Sequence, residues 1–306
     1  MKKILMLLMA VAMLLSLVSV LPACNKEATT TPTPTITPTS IPSVVPPVKP
    51  VGRLTVATTT SLYDTGLWSY LEPMFEQKYG VNLNIISVGS GEAFVLGKTG
   101  DVDVLAVHDK PNELIFIAGN YSSARVPWAY NHFLIIGPPS DPAGIKGMSP
   151  EDAFKKLMAE GNVTGSQVKF ISRGDNSGTQ NKEIAIWAAA GYQYADVEKS
   201  GSWYIEAGAG MGQTLLMTNE KQAYTLTDIG TFVTYKSKLS LVPLVDQGDI
   251  LLNVYSVMVV NSTKNKDMAN NLVTFLTSPE IQDLIGKYGV AEYGLQLFTP
   301  CAGQDL

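Results

Sequence analysis

Apolar and polar positions change rhythm along the chain. Leu5 to Val20 is an apolar stretch; residues 28–50 carry no periodicity at all; from Arg53 onward short apolar runs alternate with amphipathic ones. Leu54-Thr55-Val56-Ala57 reads as a strand, closed by the hydroxyl run Thr58-Thr59-Thr60-Ser61. Leu67, Leu71 and Phe75 then fall on one helical face at i, i+4 spacing, with Gly80 as a stop signal and Pro73 as an expected bend or break. Val81 to Ile85 alternates as a strand does, Gly89-Ser90-Gly91 turns the chain, Glu92 to Gly97 is helical, and Val102 to Val107 is a further strand.

A second block starts near Tyr130. His132 to Ile136 predicts a strand, ended by Gly137-Pro138-Pro139. Ser149-Pro150-Glu151-Asp152 predicts a helix start, with proline at its first position and acids in the first turn. Lys169 to Ile171 is a strand, followed by the loop Ser172–Thr179 and a helix bearing Ile184, Trp187 and Ala188. Asn253 to Val260 is a late strand, and Met268, Leu272 and Phe275 mark an amphipathic helix. Strand, loop, helix and strand in series imply parallel βαβ units, an α/β protein whose ligands sit beyond the carboxyl ends of the strands. The Thr58–Ser61 and Gly89–Gly91 loops both lie at that end.

The first segment changes the picture of where the chain works. Lys2 and Lys3, the apolar stretch and Leu21-Pro22-Ala23-Cys24 read as a secretory signal over residues 1–23 that ends in a lipobox, with Cys24 as the lipidated residue. The competing readings are an ordinary cleavage site and an uncleaved anchor, for which the run is marginal in length. The Thr/Pro tract within 24–51 has no means of burying a core and predicts an extended tether reaching roughly 70 Å at most. With Cys24 acylated, Cys301 has no partner, so no disulfide framework is expected. A net charge of −5 argues against a nucleic-acid surface and says little about a small anion, which is held by local dipoles.

Candidate chemistry concentrates in Ser172-Arg173-Gly174-Asp175-Asn176-Ser177-Gly178-Thr179. A hydroxyl- and glycine-rich loop entering a helix presents free N–H groups and the positive end of the dipole, and Arg173 adds a charge that Asp175 can hold. Ser177 and Gln180 also fit a capping box, which accounts for Ser177 and not for Arg173. Thr58–Ser61 and Ser90 are weaker signals of the same kind, and Asp64 is a further cap candidate. Ala207 to Gly212 lacks dinucleotide-binding spacing and reads as a glycine turn into a helix. A serine nucleophile needs a base; only His108 and His132 exist, both in or at apolar strands where a satisfied structural histidine is expected, and no G-x-S-x-G elbow is present. No enzyme, no metal cation and no cofactor is expected.

Ala57-Thr58-Thr59-Thr60-Ser61-Leu62, Asp64-Thr65-Gly66-Leu67, Gly100-Asp101-Val102-Asp103, Asp141-Pro142-Ala143-Gly144-Ile145, Ser172-Arg173-Gly174-Asp175, Ser177-Gly178-Thr179, Gly210-Met211-Gly212 and Tyr224-Thr225-Leu226-Thr227-Asp228 together make the chain resemble the substrate-binding proteins of tungstate ABC importers, from Arg53 to about residue 300. The resemblance implies a two-lobed class II periplasmic-binding-protein fold, each lobe a mainly parallel sheet flanked by helices. Residues 52–129 and 262–306 would form lobe 1 and residues 130–261 lobe 2, with the anion in the cleft. It implies Thr59, Thr60, Ser61, Arg173, Ser177, Gly178 and Thr179 as oxyanion ligands; the loop reading adds Ser90, and Asp175, Gly210 and Asp228 are candidates for the surrounding shell. The ligand would be tungstate, with molybdate, sulfate or phosphate as alternatives, and the partners an ABC permease and its ATPase, the chain itself a monomer. A sensor lipoprotein on the same fold is the competing function, and a hydrolase lacks its base. One position departs from the family: the arginine usual after the Thr-Leu-Thr-Asp aspartate is Ile229 here.

Overall fold

The structure, a computed structural model, describes residues 52–306. The signal segment 1–23, Cys24 and the tether up to residue 51 lie outside the described residues. β1 (Arg53–Thr59) runs into α1 (Thr60–Asp64), and Thr59 caps that helix, its Oγ1 accepting from the Leu62 N–H at 3.3 Å. Asp64 ends α1 instead of capping a helix. Gly66, at φ 79°, turns the chain into α2 (Leu67–Tyr79), which stops at Gly80 in the left-handed region as expected. α2 passes through Pro73 as one element; the break falls at Gly66. A mid-helix proline removes one N–H, whereas a left-handed residue redirects the backbone.

β2 (Asn82–Val88), α3 (Ser90–Thr99), β3 (Val104–Val107) and α4 (Lys110–Ala118) complete the first βαβ series. β1 pairs in parallel with β2 on one side and β3 on the other, so their carboxyl ends share one edge. The long β4 (Val126–Gly137) leads to α5 (Pro150–Gly161), whose cap is the expected Ser149. β5 (Phe170–Ser172), α6 (Gly178–Ala189), α7 (Tyr194–Val197) and β6 (Tyr204–Glu206) follow, with β5 and β6 parallel. Next come α8 (Met211–Lys221), β7 (Thr225–Asp228), α9 (Ile229–Tyr235) and β8 (Val242–Val245). β9 (Leu252–Val259), α10 (Lys266–Thr277), α11 (Pro279–Lys287), α12 (Val290–Tyr293) and β10 (Thr299–Pro300) close the chain.

The main sheet has the order β10-β4-β9-β3-β1-β2, with β7 and β8 paired to the far half of β4. The expected α/β architecture holds, and its parallel pairs are β1–β2, β1–β3 and β5–β6. Pairs through β4 and β9 are antiparallel, because these two strands carry the chain across the molecule in opposite directions. β4 pairs with β9 from Val126 to His132, then with β7 and β8 from Phe133 onward.

The core divides along the same strands. Leu54, Leu71, Phe75, Trp128, Tyr255, Leu272 and Phe298 belong to one cluster. Phe133, Ile135, Phe154, Trp187, Trp203 and Leu251 belong to another. A fully buried aromatic or branched side chain contributes roughly 1.5–3 kcal/mol, so each cluster anchors the loops at its rim. Leu134 and Ile136, on the opposite face of β4, pack with Met211, Leu215 and Phe232. Both faces of this half of β4 are covered, which is why Phe133 to Ile136 is unbroken apolar sequence. No described helix is long and apolar enough to cross a membrane.

Candidate functional site

Five helix starts meet at the carboxyl edge of β1 and β3. The first is α1. Thr58 is not free there: its Oγ1 donates to the Ala106 carbonyl at 3.0 Å and accepts from the Trp68 indole at 3.0 Å. Thr59 and Ser61 are buried, Thr60 is half-buried, and the Thr59 and Ser61 hydroxyls lie 3.3 Å apart. At α3, buried Ser90 reaches across to α6, its Oγ accepting from the Gly178 N–H at 3.0 Å.

The loop before α6 is held from several directions. Gly174 (φ 60°) admits no side chain, since a Cβ would lie 2.6 Å from the Glu206 Cβ. Arg173 is 2% exposed; its Nε donates to the Ala209 carbonyl at 3.1 Å and its Nη2 to Thr60 Oγ1 at 3.4 Å, and it pairs with Asp175. Asp175 also accepts from the Ser177 N–H at 3.3 Å. Ser177 caps α6, accepting from the Gln180 N–H at 3.2 Å. Half of the expected capping box is altered: the Gln180 side-chain Oε1 accepts from the Asn176 N–H instead of that of Ser177. Thr179 is 1% exposed and its hydroxyl has no hydrogen-bond partner among the described residues.

The last two starts close the ring. Gly210 precedes α8 and faces Thr60, whose Oγ1 would be 3.5 Å from an added Cβ. Asp228 caps α9, accepting from the Thr231 N–H at 2.9 Å and its hydroxyl at 2.6 Å, while the same hydroxyl lies 3.2 Å from the Ser61 carbonyl. The candidate ligands Thr59, Thr60, Ser61, Ser90, Arg173, Ser177, Gly178 and Thr179 lie on these adjoining helix starts, with Asp175, Gly210 and Asp228 around them. Ile229 joins the apolar cluster of Leu134 and Phe232 and brings no cation.

Converging N–H groups and one buried guanidinium make this an anion-binding arrangement. Two of the nearby carboxylates have partners: Asp175 pairs with Arg173, and Asp228 accepts from Thr231. Burial raises the Asp228 carboxyl above its usual range, opposed by the Thr231 hydrogen bonds and Arg173. Burial also raises Asp64, and Asp228 adds to it. His108 is satisfied on both sides, by Ser61 Oγ at 3.1 Å and Asn253 Oδ1 at 2.8 Å, and burial pushes it down to about 3, so it is neutral. Sequence reasoning placed it as a structural histidine and missed that it bonds a site hydroxyl; its polar partners lie 47 and 145 residues away. His132, by contrast, faces solvent from β4.

Residues 28–280 match the PBP superfamily domain. The chain belongs to this superfamily. Similar to this PBP-superfamily chain is the tungstate-binding protein TupA of Peptoclostridium acidaminophilum, 39% identical over 257 residues, spanning 83% of this chain and 87% of the relative. Among solved structures, the tungstate-binding protein TupA from Desulfovibrio alaskensis G20 superposes with TM-score 0.68 at 38% identity, covering 82% of this chain and 100% of that one. The tungstate ABC transporter structure from Geobacter sulfurreducens gives TM-score 0.67 at 42% identity, covering 77% of this chain and 98% of that one.

Proposed function

We propose that this protein captures tungstate outside the cytoplasm and delivers it to an ABC importer. The observation that carries this reading is a buried Arg173 among helix N-termini whose neighbouring carboxylates already have partners: Asp175 with Arg173, Asp228 with Thr231. Tungstate at neutral pH is a dianion without a proton and asks only for donors. Phosphate keeps a proton in part of its population and gains from a free acceptor, a role that the paired Asp175 and Asp228 do not offer. The names of the relatives favour tungstate over the other oxyanions.

The ligands are Thr59, Thr60, Ser61, Ser90, Arg173, Ser177, Gly178 and Thr179. Two lobes, residues 52–129 with 262–306 and residues 130–261, close on the anion. β9 lies in the second range and contributes Tyr255 and Val257 to the first core cluster, so it belongs to the joint between the lobes. A lipid on Cys24 and the Thr/Pro tether hold the monomeric domain near the permease and its ATPase, and the protein performs no catalysis.

Calorimetry on protein stripped of ligand tests the assignment. Tungstate is expected to bind at least a hundredfold more tightly than phosphate, about 2.7 kcal/mol. Equal affinities would refute it, and a preference for molybdate over tungstate would move the assignment to that anion.

A further inference from the structure

The hydroxyls at the start of α1 are not equivalent, and a count of their hydrogens separates them. Asn253 donates through Nδ2 to Asn131 Oδ1 at 2.8 Å and to the Tyr255 hydroxyl at 2.9 Å. In this arrangement its Oδ1 faces His108 Nδ1 at 2.8 Å, and Asn131 Nδ2 has no hydrogen-bond partner among the described residues. An amide oxygen only accepts; His108 therefore carries its hydrogen on Nδ1. The ring is buried and neutral, with Arg173 and Lys182 adding to the effect of burial, so Nε2 has no hydrogen and accepts. Its donor is Ser61 Oγ at 3.1 Å. Ser61 Oγ in turn accepts from Thr59 Oγ1 at 3.3 Å, and Thr59 Oγ1 is the acceptor for the Leu62 N–H. Both hydroxyl hydrogens, of Thr59 and of Ser61, are committed inside the protein.

The other hydroxyls are acceptors that keep their hydrogen. Thr60 Oγ1 accepts from Arg173, Ser90 Oγ from the Gly178 N–H, and Ser177 Oγ from the Gln180 N–H. Thr179 Oγ1 is buried with no hydrogen-bond partner among the described residues. We infer that His108 is a positioning residue that turns the Ser61 hydroxyl away from the anion, leaving Thr60, Ser90, Ser177 and Thr179 as the hydroxyl donors and Ser61 to act through its backbone N–H. The relay behind it starts on Asn131 of β4 and Asn253 of β9, so the direction of the Ser61 hydrogen is set by the two strands that carry the chain across the molecule. This inference rests on the oxyanion reading and divides its ligand set.

Two measurements test it. The chain has only two histidines, so nitrogen-15 histidine NMR with a His132→Gln variant for assignment reads the His108 tautomer directly. His108 is expected neutral with hydrogen on Nδ1 from about pH 5 to 8, with and without saturating sodium tungstate. Hydrogen on Nε2, or a change of tautomer on adding tungstate, overturns the inference. In calorimetry, Thr179→Val is expected to weaken tungstate binding at least fivefold more than Ser61→Ala. Equal losses, or a larger loss for Ser61→Ala, overturn it. Failure of the wild-type protein to bind tungstate would strike the functional reading instead, and the tautomer measurement would still stand.

Discussion

Replacing Arg173 by alanine separates binding from scaffolding. The guanidinium has donors in three directions: Nε holds the Ala209 carbonyl, Nη2 serves Thr60 and Asp175, and Nη1 makes no hydrogen bond among the described residues. One charged hydrogen bond to an anion contributes ~1.5–3 kcal/mol, so Arg173→Ala is expected to weaken tungstate binding by about tenfold to 150-fold through Nη1 alone. The loss of positive charge beside a buried dianion adds to that figure. The same change strips Asp175 of its partner and leaves the Ala209 carbonyl unmet. Asp175 keeps 18% side-chain exposure, so water replaces part of the pair, and a destabilisation of ~1–2 kcal/mol is expected. For a chain of this size that lowers the melting temperature of the ligand-free protein by roughly 2–8 °C. Arg173→Lys should fall between, keeping charge and losing the planar fork. Calorimetry and thermal melting on the same variant decide the matter. A folded Arg173→Ala protein with unchanged tungstate affinity would remove Arg173 from the site and leave it a loop brace.

Two further changes probe the surroundings. Gly178→Ala would set a Cβ 3.0 Å from Ser90 Oγ, 3.1 Å from His108 Cε1 and 3.2 Å from the His108 carbonyl, three atoms of which two are held by the backbone or a fixed ring. Overpacking of this kind costs ~1–3 kcal/mol of stability, so the melting temperature of the ligand-free protein should fall by roughly 2–12 °C, and an unchanged melting temperature would refute the tight contact. The third concerns pH. His108, lowered to about 3, is neutral in the folded chain while the unfolded chain takes up a proton below its usual 6.5, so its contribution to stability is lost as pH falls through that window. Glu183, raised by burial to about 7, is protonated in the folded chain above its usual 4.5, so its contribution is lost as pH rises. From pH 4.5 to 6.5 the two oppose each other at ~1.4 kcal/mol per pH unit each. Glu183→Gln keeps the acceptor for Trp187 Nε1 and the Tyr204 hydroxyl and removes the proton. Its melting temperature is expected to fall more steeply on acidification across that range than the wild type's; parallel curves would show that Glu183 does not titrate there.

Much of the site was legible because anion-binding loops are local. Ser172–Thr179 shows hydroxyls, glycines and an arginine within eight positions, directly ahead of a helical pattern, and the physics of a helix start needs nothing more. The parallel edge of β1 and β3 followed from alternating strands and helices, which placed Thr59 to Ser61 and Ser90 at the same end. What escaped depends on partners remote in sequence. Asn131 and Asn253 are buried amides in apolar strands, and nothing in their neighbourhood marks them as the support of His108. Asp228 entered through the family resemblance, but its role as the cap of α9 has no signal until α9 is known to begin at Ile229, and the carbonyl of Ala209 that holds Arg173 carries no side-chain signal. The antiparallel crossings were hidden for a different reason: β4 is buried on both faces beyond His132, so no alternation distinguishes it from a parallel core strand.

His132 of β4 sits directly opposite Leu252 of β9. The chain departs from the outer part of the molecule at one of these residues and returns at the other, so the whole excursion between them begins and ends at neighbouring points. Paired residues on antiparallel strands are ~4.5–5.5 Å apart, a gap that a two-residue hairpin spans. The excursion is therefore an insertion in the topological sense: the outer strands keep their register whether it is long or short, because closure entropy rises by only ~0.6 kcal/mol for each doubling of loop length. A segment from another chain with the same pair of end positions could be exchanged into this one without re-registering β3, β9 or β4. The half of the anion site carried on Ser172–Thr179 would travel with it, and the half on Thr59–Ser61 and Ser90 would stay behind.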